Sequence, residues 1–177
     1  MGMKVLLLSF GLALVIAVQA ERGLQDDFND RKFEGPWRSR YLASDNLPLI
    51  EVYGHMRVFV VNVARTVEGN LDFTFNERIN GTCKEFHLIM QKTETPGRYT
   101  VSYFGENIVA VVKTDYLSYA ILYGQNNNEG EVYKLIQFLV RPMKENQKGQ
   151  KNFEDFCTDE GIPSSGILNI PESERCP

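Results

Sequence analysis

Beyond residue 57 the chain alternates apolar and polar residues with a period of two, and holds that period for most of its length. Such alternation predicts strands with one buried and one solvated face. The segments are residues 57–63, 71–76, 83–90, 99–103, 107–113, 116–123 and 132–140, with one further strand after Trp37. Turn chemistry separates them: Glu68-Gly69-Asn70, Asn80-Gly81, Pro96-Gly97, Phe104-Gly105 and Asn126 through Gly130 are hairpin breaks. Short turns between consecutive strands predict an all-β, eight-stranded antiparallel up-and-down β-barrel. A barrel of that size can enclose one small ligand.

The period changes near the end. Residues 152–161 place Phe153, Phe156 and Cys157 on one helical face, with Gly161 as a stop. This predicts one C-terminal α-helix packed outside the barrel. The apolar run at residues 167–170 is expected to pair at a barrel edge. Residues 21–30 are polar and predict a loose N-terminal arm, while Phe33 is placed to help plug one end.

Parity assigns the inner face, because side chains at i and i+2 share a side. It selects Met56, Val58 and Val60 in one strand, then Phe73 and Phe75 in the next. Leu88 and Met90 follow with Phe86, then Val101 and Tyr103, then Val109 with Val111. Ala120 and Leu122 precede Leu135, Gln137 and Leu139. The opposite set includes Arg57, Asp72, Thr74, Lys84, Glu85, His87, Thr100, Ser102 and Lys134. Tyr103 is the first candidate for a hydrogen bond to a ligand and Gln137 the second. No charge points inward, so a ligand is expected to be neutral, small and apolar.

Composition refines the setting. Residues 1–20 carry Lys4, an apolar core and the small-residue exit Val18-Gln19-Ala20, a cleavable secretion signal. A single domain over residues 21–177 remains, secreted to the extracellular space. Without Lys4 the charges are 18 basic against 23 acidic, a net −5. That balance argues against nucleic acid and anionic membranes as partners. The three cysteines, Cys83, Cys157 and Cys176, meet an oxidising compartment, and spacing leaves all three pairings open. Cys157 suits a free thiol, since a helix face buries it well. A bridge from Cys83 to Cys176 would close a loop of about 90 residues, worth roughly 4 kcal/mol in the chain-entropy model. Asn80 begins the one N-x-Ser/Thr sequon and is a glycosylation candidate on a turn.

Three short motifs carry a resemblance. Gly35-Pro36-Trp37, Thr114-Asp115-Tyr116 and Arg141 resemble, in order and separation, the three conserved regions of the lipocalin family. Tyr41 through Asp45, Met56 through Val60, and Asn169-Ile170 with Cys176 after them draw it towards the urinary, salivary and odorant-binding members. The resemblance spans residues 33–176. It implies a β-barrel calyx, a disulfide between Cys83 and Cys176, and carriage of a pheromone or odorant. Gly35, Trp37, Thr114, Asp115, Tyr116 and Arg141 are then structural, with Arg141 laid over the Trp37 ring. Pro36 departs from the usual polar residue, and a proline is tolerable there where that residue lies outside the sheet ladder.

Neither catalysis, a cofactor nor a metal is expected. His55 and His87 have no acidic or cysteine partner at metal spacing, and no Ser-His-Asp set is visible. A prostaglandin-isomerising lipocalin uses a thiol inside its calyx; residues 56–60 hold none. The alternatives to volatile carriage are action through a receptor or other protein, and carriage of a retinoid or fatty acid. A monomer or weak homodimer is expected.

Overall fold

A computed structural model describes residues 24–79, 81–144 and 146–172. The expected secretion signal at residues 1–20, Asn80 and Cys176 lie outside the described residues. Ten strands form one antiparallel series, β1-β3-β4-β5-β6-β7-β8-β9-β2-β10. Eight are long: β2 (Arg38–Ser44), β3 (Phe59–Arg65), β4 (Leu71–Ile79), β5 (Thr82–Lys92), β6 (Arg98–Ser102), β7 (Glu106–Thr114), β8 (Tyr119–Asn128) and β9 (Glu131–Val140). The other two are β1 (Gly35–Pro36) and β10 (Ile167–Asn169). These eight are the predicted meander, and β10 pairs with β2 as the edge strand the sequence suggests. The strands run past several predicted ends; β8 continues through Asn126 to Asn128 and turns only at Glu129-Gly130, both at positive φ. That pair is a two-residue hairpin whose backbone twist matches the strands.

The ladder does not close as a continuous barrel, which corrects the simplest expectation. The segment Gly35–Ser44 is one strand interrupted at Trp37: its start pairs with β3 and its remainder with β9. Between β2 and β3 the seam is bridged instead by single bonds. The Trp37 N–H donates to the Val61 carbonyl at 3.0 Å, and the Val60 N–H donates to Ser39 Oγ at 2.9 Å. Register shifts at Ser39/Tyr41, Val60/Asn62 and Val111/Lys113 mark bulges, which bend strands and help the sheet curl.

One end is plugged. A four-residue helix, α1 (Asp30–Phe33), is capped by Asn29 and delivers Phe33 beneath Trp37, both fully buried. The arm before it is tied down, contrary to the loose segment expected. The Gln25 N–H donates to the Val111 carbonyl at 3.0 Å, Gln25 Oε1 accepts the Thr114 N–H at 2.9 Å, and the Phe28 ring packs on Phe33. On the outside lies α2 (Gln147–Asp159), longer than predicted because Asn146 caps it a turn and a half earlier. Phe153 and Cys157 face Ile121, Ile136 and Phe138. Gly149 permits the approach: a Cβ there would lie 2.6 Å from the Tyr119 ring.

Candidate functional site

The three motifs meet at the plugged end. Arg141 follows β9, and its guanidinium stacks on Trp37 with 3.8 Å between the central carbon and the ring centroid. Its Nη1 donates to the Pro36 carbonyl at 2.9 Å, Nε to Tyr116 at 3.1 Å and Nη2 to Lys32 at 3.2 Å. Gly35 has φ +103°, and a Cβ there would press to 3.2 Å from Nη1, so the close approach requires glycine. Pro36 sits in register with Asn62, inside the ladder. Its missing N–H is tolerated because β1 is an edge strand.

Asp115 organises the β7–β8 turn. Its Oδ1 accepts the backbone N–H of Leu117, Ser118 and Tyr119 at 3.0, 2.8 and 3.0 Å, and its Oδ2 accepts the Ser118 hydroxyl. Burial works against its charge, yet these bonds hold the carboxyl below its ordinary pKa. Thr114 Oγ1 donates to the Tyr119 carbonyl at 2.7 Å and accepts the Tyr116 N–H at 2.9 Å.

Above this plug lies a cavity in which the centre of a water-sized sphere can roam over about 70 Å³. Eleven parity-selected residues form its wall: Met56 and Val58 before β3, Phe75 on β4, Leu88 and Met90 on β5, Val101 on β6, then Tyr103, Val109 on β7, Leu122 on β8, and Leu135 and Gln137 on β9. Val60, Phe73, Ala120 and Leu139 are not at the wall. They lie deeper, in the packed cluster around Phe33 and Trp37, so the inner face is partly solid core. Asn107 and Gly124 complete the wall and were not anticipated, although both fall on parity with Val109 and Leu122. Among the described residues no charged side chain reaches the wall.

Four rings form a continuous stack along one side of the barrel. Phe73 to Phe75 is 5.8 Å between centroids, Phe75 to Phe86 is 5.6 Å and Phe86 to Tyr103 is 5.6 Å. Tyr103 stands at the open end, where burial and, secondarily, the Glu77 carboxylate push its hydroxyl pKa upward. Its proton goes to the His55 carbonyl at 3.1 Å, and the His55 ring stacks on Phe104 at 4.1 Å. These contacts fasten the loop of residues 45–58 across the mouth. Tyr103, the first-choice polar contact from sequence, therefore spends its proton on the loop.

Gln137 bridges the seam. Its Oε1 accepts the Ser39 hydroxyl at 3.1 Å and its Nε2 donates to the Val58 carbonyl at 3.3 Å. Away from the cavity, Cys83 is disulfide-bonded and Cys157 is a buried free thiol, whose pKa burial raises to about 12. His87 lies beside two carboxylates, Asp72 at 3.0 Å and Glu85 at 3.9 Å. Among the described residues no group of three His, Cys, Asp or Glu is arranged to hold a metal.

The model of the lipocalin / cytosolic fatty-acid binding protein family matches residues 34–174. The chain belongs to the lipocalin family. Lipocalins are in general carriers of small hydrophobic ligands rather than enzymes. This lipocalin is 37% identical to the cat (Felis catus) allergen Fel d 4, over 98% of the chain and 92% of that protein. It is 35% identical to major urinary protein 4 of the mouse (Mus musculus), over 97% and 96%. Among solved structures, the possum milk whey lipocalin trichosurin with bound 4-ethylphenol superposes with a TM-score of 0.75 at 30% identity, covering 80% of this chain and 99% of that one.

Proposed function

We propose that this lipocalin is secreted and carries a small, neutral, volatile molecule of the pheromone or odorant class. The observation that carries the reading is the apolar, uncharged cavity above the Trp37 plug. Its size speaks for a small guest. The roughly 70 Å³ open to the centres of water-sized spheres is the scale of a compact guest rather than a long chain. A retinoid or long acyl chain would have to displace Phe75, Met90 or Tyr103. Burying about 250 Å² of ligand at ~25 cal/mol/Å² supplies about 6 kcal/mol, which sets binding at tens of micromolar or weaker unless directional contacts add to it. The single-ring phenol named with trichosurin supports the same scale.

The receptor reading has one observation in its favour. On the loop over the mouth, Tyr53 is 88% exposed and Val52 62%, so two apolar side chains stand in solvent beside the cavity. Displacement of a fluorescent apolar probe separates the two readings. Carriage predicts that delipidated protein takes up the probe and that small ketones or phenols release it, with retinol weaker. Absence of uptake would leave the receptor reading.

A further inference from the structure

Three polar side chains reach the cavity, and an account of their protons separates them. Tyr103 has one hydroxyl proton and gives it to His55. Asn107 Nδ2 lies against the carbonyls of Val101, Tyr103 and Gly105 at 3.2, 2.7 and 3.3 Å, so both its protons are engaged. Asn107 Oδ1 receives the Asn126 amide at 3.0 Å. Gln137 is different. A primary amide carries two N–H protons, and Gln137 Nε2 meets one carbonyl, that of Val58.

The orientation of this amide is forced. A backbone carbonyl only accepts, so the atom facing Val58 must be the nitrogen, and Oε1 is left to take the Ser39 hydroxyl. Among the wall residues one side-chain N–H therefore finds no acceptor within the described residues. It belongs to a half-buried side chain in a wall that is otherwise almost wholly apolar. Such a donor is unfavourable in the empty state, and a guest that accepts from it gains directional binding.

We infer that the Gln137 amide selects the polar group of the guest: a compact apolar molecule bearing a hydrogen-bond acceptor, such as a ketone, ester, ether or ring nitrogen. This rests on the carriage reading and names its ligand class. Ser39 and Val58 hold the amide in place, so the bridge that joins β2 to β3 also aims the donor.

The test compares cyclohexanone with methylcyclohexane, similar in shape and differing in the acceptor, by probe displacement from the full secreted chain. Gln137→Leu should weaken the ketone relative to the hydrocarbon, changing the ratio of their dissociation constants by about tenfold. Ser39→Ala removes one of the two bonds that aim the amide but keeps the donor, and should change the ratio by clearly less than Gln137→Leu does. An unchanged ratio in Gln137→Leu, or an equal change in Ser39→Ala, overturns the inference while carriage stands. Where Gln137→Leu does not fold, the wild-type protein decides: the Gln137 side-chain amide resonances should shift with the ketone and not with the hydrocarbon, and the reverse overturns the assignment. If neither compound nor the probe binds, the carriage reading itself falls.

Discussion

The Arg141 guanidinium lies flat on the Trp37 indole, 3.8 Å from the ring centroid, while its three nitrogens each donate to a different backbone carbonyl. Two of those carbonyls, of Pro36 and Tyr116, belong to the other two motifs. The indole N–H in turn donates to the Phe33 carbonyl at 2.8 Å. A planar fork can do this and an ammonium cannot.

Removing either partner should therefore be costly. Trp37→Ala empties a fully buried site and should lower stability by about 3–5 kcal/mol. Arg141→Lys keeps the charge but loses the fork and should cost about 1.5–3 kcal/mol. Urea denaturation measures both. A loss under about 1 kcal/mol for Trp37→Ala would remove the ring from its role as plug.

Asp115 makes stability depend on acid. Its folded pKa lies below the unfolded value. The contribution is therefore fully present above the ordinary carboxylate range and is lost as pH falls through the lowered folded value. Between about pH 5 and about pH 2.5 the wild-type protein should lose more stability than Asp115→Asn, which carries no titrating group there. Parallel curves for the two proteins would contradict this.

Cys157 should be chemically silent in the folded protein. It is fully buried, and its thiol is pushed up to about 12. The thiolate is the reactive form, so at about pH 8 a thiol reagent should label it only after denaturant is added. Rapid labelling of native protein would mean that α2 detaches readily from the barrel.

The mouth loop should govern release. Tyr103→Phe deletes the bond to the His55 carbonyl while leaving the ring stack with Phe86 in place. At about 1 kcal/mol for one hydrogen bond, stopped-flow release of a bound probe should quicken about fivefold with little change in the melting curve. An unchanged rate would place the exit path elsewhere.

The sequence revealed the fold through alternation, because one face of each strand is apolar throughout. It revealed the wall from Phe75 to Leu135 by the same parity, but parity cannot tell depth: Val60 and Leu122 look alike, and only the plug built by Phe33 and Trp37 decides which of them borders space. Asn107 and Gly124 were overlooked because a polar residue and a missing side chain carry no apolar signal. Lys84 and Glu85 cannot both face outward, since neighbours in a strand point to opposite faces. Lys84 follows Phe86 on the inner parity and pairs with Glu77 where that face leaves the barrel for solvent. The N-terminal arm escaped notice because its anchors are distant in sequence, as when the Asn29 N–H donates to the Tyr116 hydroxyl at 2.9 Å.

Leu122 is the most direct probe of the hollow calyx, since it is 6% exposed and its side chain borders the cavity between Ala120 in the core and Gly124 above. Leu122→Trp should fill that volume, and titration with a fluorescent apolar probe should show uptake by the wild-type protein and none by the variant, with matching circular dichroism spectra. Equal uptake by a folded Leu122→Trp protein would contradict an interior binding site.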